Sequence, residues 1–165
     1  MNVLKLGEVS LDGDSNVTCR WKTGKIILDV MPTDEKILGF SNRWYMQAIK
    51  DSIFAAITES IKIRVVTPQH FLATKIEAFL GRGNNDFKES KDLEDIISLI
   101  EGRPEIIDEL KICNNDLKRF IADNFKNFLS ESEFIDYLPG HLTQDETANE
   151  RAQIVLGRFI SISKL

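Results

Sequence analysis

The chain has 165 residues, of which 42% are hydrophobic and 28% charged, and its net charge at neutral pH is −5. This length and composition are typical of one soluble domain, or of one compact unit with two small lobes, whose core needs no disulfide or metal. Lysines and arginines are scattered, which argues against a broad basic surface for nucleic acid but leaves a local phosphate site open.

The sequence also predicts a cytoplasmic protein that does not cross a membrane. The first residues, MNVLKLGEVSLDGDSN, contain no apolar core of a signal peptide, and no run of 18 apolar residues occurs. Cys19 and Cys113 have neither the spacing of a metal site nor that of a disulfide framework, which is typical of a reducing compartment.

Strands and one helix are predicted in the first part of the chain. NVTCRWK (16–22) and KIILDVMP (25–32) are expected to form a hairpin through Thr23-Gly24. Apolar residues recur with a 3.6-residue period over 42–57, which predicts a helix. The alternation in SIKIRVVT (60–67) predicts a half-exposed strand.

From residue 67 onward the pattern is helical, with breaks at capping residues, glycine and proline. Strands followed by helices are typical of an α+β fold. The predicted helices cover about 68–81, 91–101, 104–129 and 145–162. The residues expected to begin or end them are Thr67-Pro68, Gly81, Ser90, Gly102, Pro104 and Pro139-Gly140.

Asp29 is an ionisable residue late in the apolar strand KIILDVMP. A carboxylate held on a strand is a common ligand for a hard cation such as Mg²⁺. The alternative is an aspartate on the solvated face of the strand.

Lys75 and Arg82 in ATKIEAFLGRG are seven residues apart, so both cations are expected on one helical stripe with the small Ala78 between them. Such a pair suits a polyphosphate, with lysine as a point charge and arginine as a fork. The alternative is a solvated face with ion pairs to Glu77 or to a neighbouring helix.

Asp92 and Asp95 in SKDLEDIISLI are neighbours on one helix face, beside a predicted core stripe of leucine and isoleucine. An acidic residue in a first turn complements the helix dipole, which explains Asp92 better than Asp95. His70 and His141 have no ligand-spaced partner and are expected to be surface or helix-start residues.

Together, CRWKTGKIILDVMPTDEKILGFSNRWY, HFLATKIEAFLGRGNNDF and KDLEDIISLIEGR resemble the abortive-infection (AbiEii-like) nucleotidyltransferase toxins of bacterial toxin–antitoxin and phage-defence systems. The resemblance covers about residues 19–142. It implies a nucleotidyltransferase-like fold, with a partial lobe holding a small mixed sheet over 1–66 and a helical lobe over 67–165.

The resemblance also implies a reaction and a set of roles. A nucleotidyl group would pass from a nucleoside triphosphate to an acceptor such as RNA. Asp29 would be a catalytic metal carboxylate for Mg²⁺, and Lys75 and Arg82 would bind the triphosphate. Asp92 would be catalytic, orienting the lysine or acting near the acceptor, and Asp95 would belong to a second acidic motif.

One departure from the family changes the expected activity. The family's Gly-Ser turn and paired Asp-x-Asp are absent before Asp29, where only Asp12 and Asp14 occur, in what is predicted to be a loop. The chain is therefore expected to lack the first helix and two strands of the fold. Because one carboxylate cannot hold two metal ions, it should be a weak or inactive catalyst alone.

Three interpretations stay open at this point. The chain is a degenerate nucleotidyltransferase that still binds nucleotide, or the missing strands come from another chain and restore activity. Alternatively, it is a non-catalytic interaction module that binds an antitoxin protein or associates with itself. An open sheet edge favours a homo-oligomer.

Overall fold

A computed structural model of the chain describes residues 10–13, 19–30, 32–38, 41–82 and 85–165. Contacts between Cα atoms divide the chain into two compact units, Met1–Ser41 and Asn42–Leu165. The sequence predicts a boundary after residue 66 instead. That boundary would place the strand predicted over 60–67 in the same lobe as the first sheet. Asp14, one of the two aspartates before Asp29, lies outside the described residues.

The described part of the first unit contains a small antiparallel sheet of three strands in sequence order, β1 (Ser10–Leu11), β2 (Arg20–Thr23) and β3 (Ile26–Asp29). The predicted hairpin is confirmed, but its connection is Gly24-Lys25 and not Thr23-Gly24, because Thr23 belongs to β2 and pairs with Ile26. Gly24 has a φ of 57°, a conformation that glycine adopts without strain. The short helix α1 (Glu35–Leu38) follows β3.

The second unit combines a two-stranded antiparallel sheet with helices. It begins with α2 (Tyr45–Lys50), β4 (Ile53–Ala56) and β5 (Lys62–Val65). The helices that follow are α3 (Pro68–Gly81), α4 (Lys91–Gly102), α5 (Ile106–Ile112), α6 (Asn115–Ser130), α7 (Ser132–Tyr137) and α8 (Ala148–Ile162), with a 3₁₀ turn at Leu138–His141 before α8.

The helix predicted over 42–57 is wrong in its second half. The helix α2 ends at Lys50, and the Ser52 hydroxyl donates to the carbonyl of Ile49 at 2.8 Å. Residues 53–56 then form β4, which pairs with β5. The apolar Phe54 and Ala55 fit a helical period by chance, whereas the pairing with β5, remote in sequence, decides the structure.

The strand predicted over 60–67 and the helices predicted from residue 68 are confirmed, although the helix expected over 104–129 is broken at Cys113-Asn114. Ser90 caps α4 as expected, since its side chain accepts from the backbone N–H of Leu93 at 3.3 Å. Thr67 precedes α3, but its side chain makes no capping bond.

The α+β class is confirmed, with small antiparallel sheets before a helical C-terminal half. The described strands form two separate antiparallel sheets and not one mixed sheet. The nucleotidyltransferase-like arrangement therefore stays a proposal. Within the described residues, no helix is long and apolar enough to span a membrane.

Aromatic rings fill much of the core of the second unit. Phe125 on α6 stacks on Phe159 on α8, with ring centroids 4.2 Å apart and planes 13° apart. Phe134 from α7 packs against Phe159 at 4.9 Å. The predicted core stripe of α4 is confirmed, since its members are fully buried: Leu93, Ile96, Ile97 and Ile100.

Phe159→Ala is expected to lower the free energy of unfolding by about 3–5 kcal/mol, because it removes a fully buried ring and leaves a cavity. Urea unfolding followed by circular dichroism measures the change. Ile154→Ala is the control, since this residue lies on the same helix but is 49% exposed. An equal loss in both variants would contradict the packing described.

Candidate functional site

A charged cluster lies between α3 and α4 and consists of Lys75, Arg82, Asp92 and Asp95. Lys75 lies on α3 and Arg82, seven residues later, directly follows the last residue of that helix, whereas the two carboxylates are three residues apart at the start of α4. The apolar stripes of both helices are buried in the core, which holds their polar borders face to face. Lys75 and Arg82 are predicted to share one helical stripe. Arg82 lies one residue beyond the end of α3, but both side chains contact the same aspartate.

Asp92 is the centre of this cluster. Its Oδ1 atom accepts hydrogen bonds from Lys75 Nζ and Arg82 Nη2, both at 3.1 Å, and its Oδ2 atom accepts from Arg82 Nε at 3.1 Å. Lys75 Nζ also lies 2.5 Å from Asp95 Oδ2. The side chain of Asp92 is 8% exposed, whereas those of Asp95 and Arg82 are 45% and 56% exposed.

The protonation states in the cluster follow from burial and hydrogen bonding. Burial alone would raise the pKa of Asp92, but the hydrogen bonds from Arg82 and Lys75 outweigh it and lower the pKa below its ordinary value. Burial alone would lower the pKa of Lys75, whereas Asp95 and Asp92 raise it. The hydrogen bonds to Asp92 likewise raise the pKa of Arg82. The buried carboxylate and both cations are therefore charged at neutral pH.

The interpretation of Lys75 and Arg82 as ion-pair partners of a neighbouring helix is confirmed, with α4 as that helix. Glu77, the other partner considered, is paired instead with Arg43 at 3.0 Å. The ion pairs leave part of the cluster accessible. Among the described residues, the hydrogen bonds of Arg82 engage Nε and Nη2, so its Nη1 atom can still donate to a ligand.

Asp29 belongs to the other unit, at the end of β3. It is paired in register with Arg20 on β2, and the two side chains form a bidentate ion pair with distances of 2.7 and 2.8 Å. The hydrogen bond from Arg20 lowers the pKa of Asp29. Both carboxylate oxygens are thus occupied by a guanidinium group.

The described residues do not fit the Mg²⁺ site that the resemblance implies. Within the part of the chain that the structure describes, no three His, Cys, Asp or Glu side chains are grouped so that they could hold a metal ion. Asp12, the other described acidic residue before Asp29, lies 2.9 Å from Lys22. The role of Asp29 as a metal carboxylate stays a prediction that needs ligands from elsewhere.

The burial of His70 was not expected from the sequence. This residue lies in the first turn of α3, as expected for a helix-start histidine, but it is buried and not on the surface, with 5% exposed. Its Nδ1 atom is 2.9 Å from Thr67 Oγ1, which explains why that hydroxyl does not cap the helix. Its Nε2 atom lies 3.5 Å from Asp51 Oδ2 and makes no hydrogen bond.

A surface groove of about 420 Å³ lies beside the start of α4. His141 lines it and is held by a 2.8 Å hydrogen bond between Nε2 and the carbonyl of Phe87. Charged residues of both signs also line it, among them Lys88, Glu89 and Glu94. None of the predicted site residues lines this groove.

Comparisons with known proteins provide no independent support for the resemblance. No family model, curated protein or solved structure matches this chain. The assignment of its function therefore depends on the residues and on the geometry of the charged cluster.

Asp92→Asn is expected to lower the free energy of unfolding by about 1.5–3 kcal/mol, because it weakens charge-assisted hydrogen bonds from two cations. Chemical denaturation at pH 7 measures the loss. Asp123→Asn on the exposed side of α6 is the control and should change stability by less than about 0.5 kcal/mol. Equal effects would show that Asp92 has no special structural role.

The unfolding free energy is also expected to depend on pH through His70. Burial lowers the pKa of His70 below its ordinary value of 6.5, and the weaker attraction of Asp51 does not offset this. The unfolded chain therefore binds the proton first, so stability is fully present above pH 6.5 and falls as the pH falls through 6.5 towards the lower folded pKa.

The contribution of His70 to this pH dependence can be separated from that of other groups by comparison with the variant His70→Gln, because glutamine does not titrate. Urea unfolding at several pH values between 8 and 5 should show wild type losing stability relative to the variant, with a slope below about 1.4 kcal/mol per pH unit. Parallel pH profiles for the two proteins would mean that His70 has an ordinary pKa in the folded chain.

Proposed function

We propose that the charged cluster between α3 and α4 binds the triphosphate of a nucleotide, and that the chain is a nucleotidyltransferase-like protein of toxin–antitoxin type. The observation that carries this proposal is the attachment of Lys75 and Arg82 to one buried carboxylate. Because both cations lie 3.1 Å from Asp92 Oδ1, they are no more than about 6 Å apart. Two cations at that spacing can bind a single polyphosphate chain.

Asp92 acts in this proposal as the residue that positions the cations. Its side chain is almost fully buried and fixed by three hydrogen bonds, so it holds both cations before a ligand arrives. This geometry favours the interpretation in which Asp92 orients the lysine over one in which it acts on the acceptor. Preorganised cations lose little side-chain freedom when phosphate binds.

Asp95 has a different role in the same proposal. Its carboxylate is partly exposed and contacts Lys75. A phosphate oxygen can replace Asp95 at the lysine while Asp92 keeps its hydrogen bonds. Asp95 would then compete with the ligand, whereas Asp92 would support it.

The reaction implied by this site is transfer of a nucleotidyl group to an acceptor such as RNA. Such transfer needs metal ions that neutralise the attacking and leaving oxygens. Since the described residues do not fit a metal site, the chain alone is proposed to bind nucleotide and to be catalytically incomplete. The carboxylates that would complete the site have to come from outside the described residues.

A second candidate function is a non-catalytic interaction module that binds an antitoxin protein or itself. The observation that favours it is the exposure of apolar side chains near the start of the second unit, where Met46, Phe54 and Ile57 are each more than 60% exposed. Large exposed apolar patches mark association surfaces. Absence of nucleotide binding together with stable association would favour this candidate.

Lys75→Ala and Arg82→Ala are each expected to weaken nucleoside triphosphate binding by about ten- to a hundredfold, the value of a lost charge-assisted hydrogen bond. Asp95→Asn should strengthen it by about two- to fivefold, because a competing surface carboxylate is removed. Isothermal titration calorimetry with each of the four nucleoside triphosphates measures these changes.

Arg103→Ala is the matched control for Arg82→Ala. It removes the same charge from a bidentate ion pair, with Glu109, that lies outside the charged cluster. Binding within about twofold of wild type is expected for this control. Weakening of binding to the same extent in all arginine and lysine variants would show only a general charge effect, and the assignment of the cluster would be wrong.

Asp29→Asn tests the contribution of a metal ion to the same binding. Mg²⁺ is expected to change the affinity of wild type and of Asp29→Asn for nucleoside triphosphate equally, because Arg20 occupies both oxygens of Asp29. The measurement is the same titration with and without Mg²⁺. A Mg²⁺-dependent gain in affinity that the variant loses would instead identify Asp29 as a metal ligand.

A further inference from the structure

The hairpin of β4 and β5 has two edges with different properties. Among the described residues, β4 pairs with β5 and with no other strand. A two-stranded hairpin alone is marginally stable in water, and a free edge presents unpaired backbone groups to other chains. Phe54 on β4 is 72% exposed, and Ile53 and Ile57 are 52% and 61% exposed.

The register shows which backbone groups face the free edge of β4. Ile57 N–H donates to the carbonyl of Ile61 at 2.8 Å, so this pair is hydrogen bonded. Antiparallel pairs alternate, and Ala56 is opposite Lys62 while Phe54 is opposite Arg64. The N–H and C=O groups of Phe54 and Ala56 therefore point away from β5.

Charge distinguishes the two edges. On β5, the backbone N–H and C=O groups of Lys62 and Arg64 point away from β4. Cationic side chains at such an edge are a common protection against pairing with another strand. Arg64 also donates to the carbonyl of Ile49 at 2.7 Å, which ties β5 to the end of α2. The strand β4, Ile-Phe-Ala-Ala, has no charge and no proline.

We infer that β4 pairs with β4 of a second copy of this chain, in antiparallel orientation about a twofold axis at Ala55. The two hairpins then form one continuous sheet, and Phe54 and Ala56 of one copy exchange backbone hydrogen bonds with Ala56 and Phe54 of the other. The inference goes beyond nucleotide binding and does not depend on it.

The side chains around this axis are self-complementary, which is why a second copy is the occupant. Ile53 lies opposite Ile57 of the second copy, and apolar β-branched pairs stabilise antiparallel sheets. The large Phe54 lies opposite the small Ala56 of the second copy, on the other face. Residues 53–57, which face each other across the axis, carry no charge, so no like charges meet within this segment.

Sedimentation of the full-length chain tests the inference directly. The chain should sediment as a dimer with twice its mass of 18.8 kDa, and should dissociate on dilution over about a hundredfold range because the contact is small. Ala56→Pro should give a monomer at all these concentrations, because proline removes an outward donor and leaves the bonds between β4 and β5 intact.

Lys62→Pro is the matched control. It places the same residue at the opposite edge of the same hairpin, opposite Ala56, and should leave the dimer unchanged. Circular dichroism checks that both variants keep their helical content.

Disulfide trapping tests the register without proline. In a Cys19→Ser, Cys113→Ser background, Ala55→Cys should form a covalent dimer on oxidation, because residues facing each other in a non-hydrogen-bonded pair are within disulfide range. Ile63→Cys, opposite Ala55 on β5, should not cross-link. In the proposed dimer both β4 strands lie between the two copies of residue 63, which are therefore too far apart for a disulfide.

A wild-type monomer at every concentration would assign the edge to another occupant and overturn the inference. A dimer that persists in Ala56→Pro, or equal cross-linking through Ala55→Cys and Ile63→Cys, would also overturn it. Dimer loss in Ala56→Pro alone together with selective cross-linking through Ala55→Cys would establish it.

Discussion

One buried carboxylate, Asp92, determines the arrangement of the charged side chains between α3 and α4. An ionised group that is nine-tenths buried is stable only if opposite charges and hydrogen-bond donors surround it. Lys75 and Arg82 supply both, and each is thereby held in one position. The same contacts that satisfy Asp92 bring two cations close together at the surface, which is the property that a phosphate site needs.

The core makes this arrangement rigid. Leu93 and Ile96 flank the two aspartates on α4 and are fully buried against the aromatic and aliphatic side chains of the other helices. The β4–β5 hairpin contrasts with this part of the fold, because its apolar side chains are largely exposed. The second unit thus combines a rigid helical part, which bears the proposed phosphate site, with a strand edge that is suited to association.

Local signals in the sequence were sufficient for much of the fold. Pro68, Ser90, Gly81 and Gly102 mark helix ends, and the spacing of Lys75 and Arg82 indicated that the two cations lie close together. Burial of Asp92 was not predictable, because the helix dipole already explains an acidic residue in a first turn, and burial depends on how α3 packs on α4. Strand β4 was predicted as helix for a similar reason, since its pairing with β5 is not encoded within its own four residues.

The most direct test of the central claim is a crystal structure of the chain with a non-hydrolysable nucleoside triphosphate. Phosphate oxygens are expected within hydrogen-bond distance of Lys75 Nζ and Arg82, with Asp92 still bound to both side chains and Asp95 displaced from the lysine. A triphosphate bound elsewhere, or an unchanged contact between Lys75 and Asp95 in the complex, would contradict that claim.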